Sequence, residues 1–221
     1  MHLGEAMTFV LKTKGQTILQ GFWKEDLVGI LSDVVSNSAR IFDGSRDRLK
    51  NVSLKELPGN ILQASQEIIH ISRVMPGRIK KGLSEFQDDL IHELDNRKDQ
   101  KEKALFCFKL FGVLSSSTIS TFYNIPVPGK GRLRIRSAFA KFLIAELILR
   151  SLRTFLSRFL NEVEKELQLE GDIEHVRYFR RLMDGSEVAG ENVGPTAEDP
   201  AFRMADKFRN TILNGDDETR F

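Results

Sequence analysis

Apolar residues recur along most of this chain at intervals of three and four, the spacing that lines one face of a helix. In residues 24–42 that face is Leu27, Ile30/Leu31, Val34/Val35, Ser38 and Ile41/Phe42. Glu25 and Asp26 suit its positive end, and Asp43, Gly44 and Ser45 supply a stop. Residues 1–20 admit a hairpin about Lys14 and Gly15. No later segment offers a strand partner and an isolated hairpin is marginal, so a helix is expected, with Met7, Val10/Leu11 and Ile18 inward. A charged connection leads to Pro58, well placed in a first helical turn. The helix that follows has Ile61/Leu62, Ser65, Ile68/Ile69 and Ser72 as its inner stripe and is expected to break or kink at Pro76 and Gly77. Beyond them Ile79, Leu83, Phe86, Leu90 and Leu94 form a seam of little more than two heptads, too short to favour a coiled coil over bundle packing.

Residues 95–103 contain no apolar side chain and read as a solvated helical bridge or a polar linker. The chain then changes character. Residues 104–125 (ALFCFKLFGVLSSSTISTFYNI) are the most apolar run. As a helix the run would be about 33 Å long at ~1.5 Å per residue, enough to cross a hydrocarbon core. Its Leu, Ile, Phe and Val residues favour insertion by about 3 to 6 kcal/mol. Lys109 opposes this by up to ~3 kcal/mol, and the Ser/Thr-rich stretch from Ser115 to Thr121 opposes it further, so the sum lies near zero. Within the run Gly112, Ser116 and Ser120 make a stripe of small residues at intervals of four, suited to close helix packing. The helix that follows the run is its expected neighbour.

Asn124 to Gly129 (NIPVPG) cannot continue a helix, and residues 130–136 (KGRLRIR) alternate basic with apolar side chains. The next helix, from 137, carries Phe139, Phe142, Leu143, Leu147, Ile148, Leu152, Phe155, Leu156, Phe159 and Leu160. Only a narrow polar line of Lys141, Glu146, Arg150, Arg153, Ser157 and Arg158 interrupts them. After a charged end near Gly171 and Asp172 come a short helix with Ile173, Val176, Phe179 and Met183 inward and a Gly-, Pro- and acid-rich linker. A last helix from about Pro200 has Phe202, Ala205, Phe208 and Ile212 on one side. The expected fold is therefore all-α, a helical bundle built around a central apolar helical hairpin. One helical domain spans residues 1–184, with amphipathic helices in 1–103, the hairpin in 104–170 and a short helix in 172–184. A flexible linker at 185–200 and a C-terminal helix with an acidic tail at 201–221 follow.

Charge refines this picture. The formal net charge of +2 divides unequally. Residues 1–129 carry 17 Lys/Arg and 15 Asp/Glu, residues 130–160 carry 8 and 1, and residues 161–221 carry 8 and 15. The basic block calls for an acidic counterpart: the chain's own acidic residues, anionic lipid or nucleic acid. Nucleic acid is disfavoured, because the basic loop lacks aromatic stacking groups and the chain as a whole is nearly neutral. Two readings remain. In one, the hairpin is the core of a fully soluble protein–protein interaction module, and its arginines pair with Glu162, Glu164, Glu166 and Glu174. In the other, Lys130, Arg132, Arg134, Arg136 and Lys141 meet the head groups of an anionic membrane surface. The membrane-surface reading is the expectation carried forward, with a protein partner or self-association beside it, in a cytoplasmic protein peripheral to a membrane. Glu5 stands where a signal peptide wants positive charge, so secretion by that route is not expected.

The sequence offers no positive case for catalysis, and no cofactor is expected. One cysteine, Cys107, allows neither an internal disulfide nor a cysteine-rich zinc site, and it sits in an apolar run without a nearby histidine. Gly129 and Lys130 lack the other residues of a phosphate loop. Glu67 with His70, and Asp89 with His92, have the spacing of di-metal carboxylate bundles but not the further carboxylates such a site needs, so no metal is expected. His70, among isoleucines, reads as a partly buried, hydrogen-bonded residue.

Overall fold

The computed structural model describes residues 1–37, 61–113, 138–167, 170–184 and 198–214, with side chains at 61–65, 138–142, 170, 171 and 214 excepted. Among these residues 93% are helical and none is in a strand, so the protein is an all-α helical bundle. The elements are α1 (Leu3–Gly21), a π-helical turn (Phe22–Asp26), α2 (Leu27–Ser36), α3 (Ile61–Asp95), α4 (Gln100–Val113), α5 (Ala138–Glu166), α6 (Glu170–Asp184) and α7 (Pro200–Asn214). One hydrophobic cluster draws side chains from all seven α-helices.

Residues 1–20 are helical, with Met7, Val10, Leu11 and Ile18 buried. Glu5 accepts a hydrogen bond from the His2 backbone N–H, 3.1 Å, at the start of α1. This helix is the hub of the bundle, packed on α3, α4 and α5. Three of its glycines make the close approaches possible. A Cβ at Gly4 would lie 2.6 Å from Lys103 Cβ, one at Gly15 would lie 2.4 Å from Gln87 Nε2, and one at Gly21 would lie 2.8 Å from an Arg158 guanidinium nitrogen. The joint between α1 and α2 is a π turn for a reason visible in the pattern. The buried face runs Ile18, Phe22, Leu27, Val34, and the step of five from Phe22 to Leu27 overshoots an α turn. Leu27 N–H accordingly bonds to Phe22 C=O, and the wider turn keeps both stretches facing α5.

Contrary to the expectation from Pro76 and Gly77, α3 runs unbroken for 35 residues with Pro76 inside it. The inner stripe before Pro76 agrees with expectation at Ile68, which packs partly buried against the core, and differs at Ile69 and Ser72; the side chains of Ile61, Leu62 and Ser65 lie outside the described residues. Ile71 and Met75 are buried, whereas Ile69 is 51% exposed and Ser72 faces solvent. The reason is continuity. Ile71, Met75, Ile79, Leu83, Phe86, Leu90 and Leu94 form one seam through the proline, with partly buried Ile68 continuing it one turn earlier, and Ile69 and Ser72 lie off that line. From Ile79 onward the seam is the expected one. Residues 96–99 turn the chain. Asp99 then caps α4 by accepting the Lys101 N–H at 3.2 Å, so the polar stretch 95–103 is divided between a turn and a helical start.

Over its described part the apolar run packs on α1, α6 and α7, and α5 is not among its principal neighbours. Phe111 stacks on Phe179 of α6 at 4.4 Å with rings 9° apart, and Phe108 meets Phe179 edge-on at 5.0 Å. The most extensive helix contact is between α3 and α7. Phe86 meets Phe208 at 5.6 Å, and Gly82 lets Ile212 and Phe208 close on the α3 backbone. Buried Arg78 of α3 donates to the last carbonyls of α7, Ile212 at 3.2 Å and Leu213 at 3.0 Å, where a cation complements the helix dipole.

Candidate functional site

Of the residues expected to meet a membrane or anion, Lys130, Arg132, Arg134 and Arg136 lie outside the described residues. Lys141 falls in the first turns of α5, but its side chain is not described. In the packing stripe, Gly112 is buried in α4, while Ser116 and Ser120 lie outside. Phe155 and Phe159 are fully buried, whereas the side chains of Phe139 and Phe142 are outside the description.

Two arginines of the described polar line of α5 reach α2 and the π turn. Arg150 bonds Asp33 of α2 and Glu146 of its own helix. Arg158 reaches Asp26 and Glu25, both in the π turn. These carboxylates raise the Arg158 pKa above the ordinary guanidinium value, Asp26 contributing first. The expected pairing with Glu162, Glu164, Glu166 and Glu174 does not occur at these two arginines. Glu162 and Glu166 take Lys14 of α1 at 3.0 and 2.6 Å, Glu164 takes Arg180 at 2.6 Å, and Glu174 takes Arg177. Sequence-local acids lost because a neighbouring helix presents Asp26 and Asp33 squarely across from α5.

Between α1 and α5 lies an open groove of about 550 Å³ lined by Lys14, Thr17, Ile18, Arg158, Asn161, Glu162 and Lys165. Hydrogen bonds from Glu166 and then Glu162 raise the Lys14 pKa. Lys165 first and Lys14 second hold the Glu162 carboxyl below the usual carboxylate range. All these shifts move the groups away from neutrality, so neither a general base nor a general acid is poised here. Nor is the groove a ready anion site, because each of its cations is bonded to a carboxylate. Only the acidic letters near positions 25, 26, 162 and 166 hinted at it in the sequence.

Lys109, the one charge inside the described apolar run, bonds Asp199 at 2.7 Å. Asp199 is 7% exposed and also accepts the Ala201 N–H at 3.0 Å, capping α7. Cys107 is fully buried with its Sγ 3.2 Å from Met7 Sδ, and burial pushes its thiol up to about 12. His70 is exposed rather than partly buried, Asp89 bonds Lys207, and His92 contacts Asn96. Among the described residues no group of three His, Cys, Asp or Glu could hold a metal, and no helix is long and apolar enough to cross a membrane. Comparison of the chain with protein families, curated proteins and solved structures finds no match.

Proposed function

We propose that this is a non-catalytic helical protein that docks on an anionic membrane surface through residues 114–141, with the bundle as the rigid body behind that segment. Charge accounting carries the reading. Of the eight cations in residues 130–160, Arg150 and Arg158 are neutralised by Asp33, Asp26 and Glu25. Of the other six, Arg153 also has an interaction within the fold, and the remaining five, Lys130, Arg132, Arg134, Arg136 and Lys141, lie together with no acidic residue between Lys130 and Glu146. Leu114, Ile119, Phe122, Ile125 and Val127 precede them directly, and apolar groups beside a basic cluster are the composition that anionic lipid retains. The apolar residues of α4 and α5 are a different matter: where described, most are core, with Leu105 of α4 exposed, which favours the connecting segment over the arms as the lipid contact.

Flotation of the full chain with vesicles of anionic lipid, against vesicles of phosphatidylcholine alone, tests this. The expected result is co-flotation with anionic vesicles at low salt, loss at high salt, and at least tenfold weaker binding when Arg132, Arg134 and Arg136 are all replaced by Ser. That loss is well within the ~1 kcal/mol available per basic residue near the surface. Protein that stays at the bottom with both vesicles overturns the reading. The helical interaction module then becomes the better account, favoured by the burial of Phe155 and Phe159 and the internal pairing of Lys109.

A further inference from the structure

We infer that the groove of α3 and α4 that holds α7 is a self-association site, and that two copies of this chain can exchange their α7 helices across it. The inference is independent of the membrane reading, since it involves neither residues 114–141 nor lipid.

Four points of contact fix α7 along its whole length, and the groove supplies all of them. Lys109 takes Asp199 at the amino end. Asp89 takes Lys207 at 2.7 Å, and Glu85 accepts a hydrogen bond from the Thr211 hydroxyl at 2.9 Å. Arg78 closes the carboxyl end on the carbonyls of Ile212 and Leu213. Between them Ala201, Met204, Ala205, Phe208 and Ile212 are buried, with Gly82 as the notch for Phe208 and Ile212. This is helix-in-groove recognition with its register set by charge at both ends. Among the described residues the principal neighbours of α7 are α3 and α4, so within them the helix can leave as a unit without dismantling another contact of that size.

A second copy is the one ligand whose fit is already demonstrated, because its α7 offers the same atoms to the same groove. The chain permits the exchange. Residues 185–197, which join α6 to α7, reach up to about 45 Å when extended at ~3.3–3.6 Å per residue. A helix of this length is marginal alone in water, so a displaced α7 must seat again. Tethering gives the chain's own helix an effective concentration of roughly mM, which makes the closed monomer dominant in dilute solution and the exchanged dimer accessible when chains fold together at high concentration.

A charge-swapped pair reads this out. Lys109→Glu alone sets Glu against Asp199, and Asp199→Lys alone sets Lys against Lys109. In an exchanged heterodimer both junctions regain opposite charges. Equimolar variants refolded together at high concentration are expected to give a species of twice the monomer mass holding one of each chain, seen by native mass spectrometry. Its melting temperature should lie about 2–4 °C above either parent. A mixture that stays at monomer mass, or dimerises without preference for the mixed pair, overturns the inference. Should circular dichroism show that either parent does not fold, Asp89→Lys with Lys207→Asp applies the same logic at a more exposed pair, and the same two outcomes decide.

Discussion

Lys109 shows how a single residue can be read correctly as a problem and wrongly as a clue. In the sequence it is the charge that, with the Ser/Thr-rich stretch, brings the insertion balance of an apolar run near zero. In the fold it is the partner of a buried helix cap ninety residues away, a distance in sequence that no local pattern spans. Gly15 is a second case, since beside Lys14 it looks like a turn. Instead it is a notch for Gln87, and its replacement makes a signed prediction. Gly15→Ala places a Cβ 2.4 Å from Gln87 Nε2. Because the Gln87 side chain is buried at 3% exposure, its amide end has to be displaced within the packed interface, and that crowding, about 1–3 kcal/mol, outweighs the ~1 kcal/mol that alanine adds to a helix. Introduced into Gln87→Ala, where the obstructing side chain is gone, the same change should become stabilising by up to about 1 kcal/mol. Urea midpoints of the four proteins check the reversal, and a loss of equal size in both backgrounds would refute the contact. Cys107 was legible as a packing residue from its apolar neighbours, and its burial predicts silence toward thiol reagents. At pH 8 a disulfide reagent should react about 10³-fold more slowly with the folded chain than with the chain in guanidinium, given a thiol moved from 9.0 to about 12; a comparable rate would place the sulfur at the surface.

At the scale of elements, helix type and the long apolar seams follow from spacing, and two joints do not. The seam from Ile79 to Leu94 is buried as its offsets require, because nothing in it competes with the helical period. At Pro76 local propensity predicts a stop, whereas the seam continuing on both sides holds the helix together at the expense of one backbone hydrogen bond. The π turn left a signal that periodicity alone reads as a gap: a step of five between Phe22 and Leu27. Deleting Lys24, which is exposed, should convert that turn to an α turn and rotate α2 by about 100°. Leu27 and Val34 would leave α5, and Asp33 would leave Arg150. A cost of at least about 2 kcal/mol is expected for the deletion, against less than ~0.5 kcal/mol for Lys24→Ala, measured by urea unfolding. If the two variants proved equally stable, the extra residue would have no role in aligning α2 with α1.

For the whole molecule, the sequence showed that the basic block needs acid but not where the acid lies, because pairing across helices depends on which faces meet. The result is a bundle whose carboxylates and cations are matched between α1, α2, α5 and α6, and this gives stability a definite pH profile. Glu162 has a lowered pKa in the fold, so its share is present above the ordinary value of 4.5 and is lost as pH falls through the folded value. Lys14 has a raised pKa, so its share holds below 10.5 and is lost as pH climbs past it. Cys107 acts earlier on the alkaline side. Above pH 9.0 the unfolded thiol ionises while the buried one resists to about 12, so each pH unit in between favours unfolding by at most about 1.4 kcal/mol. Between pH 9 and 10.5 the thiol should therefore dominate the slope, before Lys14 contributes. Cys107→Ala lowers stability at every pH through lost packing, but it should flatten the dependence in that window while leaving the acid limb as steep as before. Urea titrations of both proteins from pH 3 to 11 separate the two effects, and a slope between pH 9 and 10.5 that survives the substitution would assign the alkaline limb to other groups.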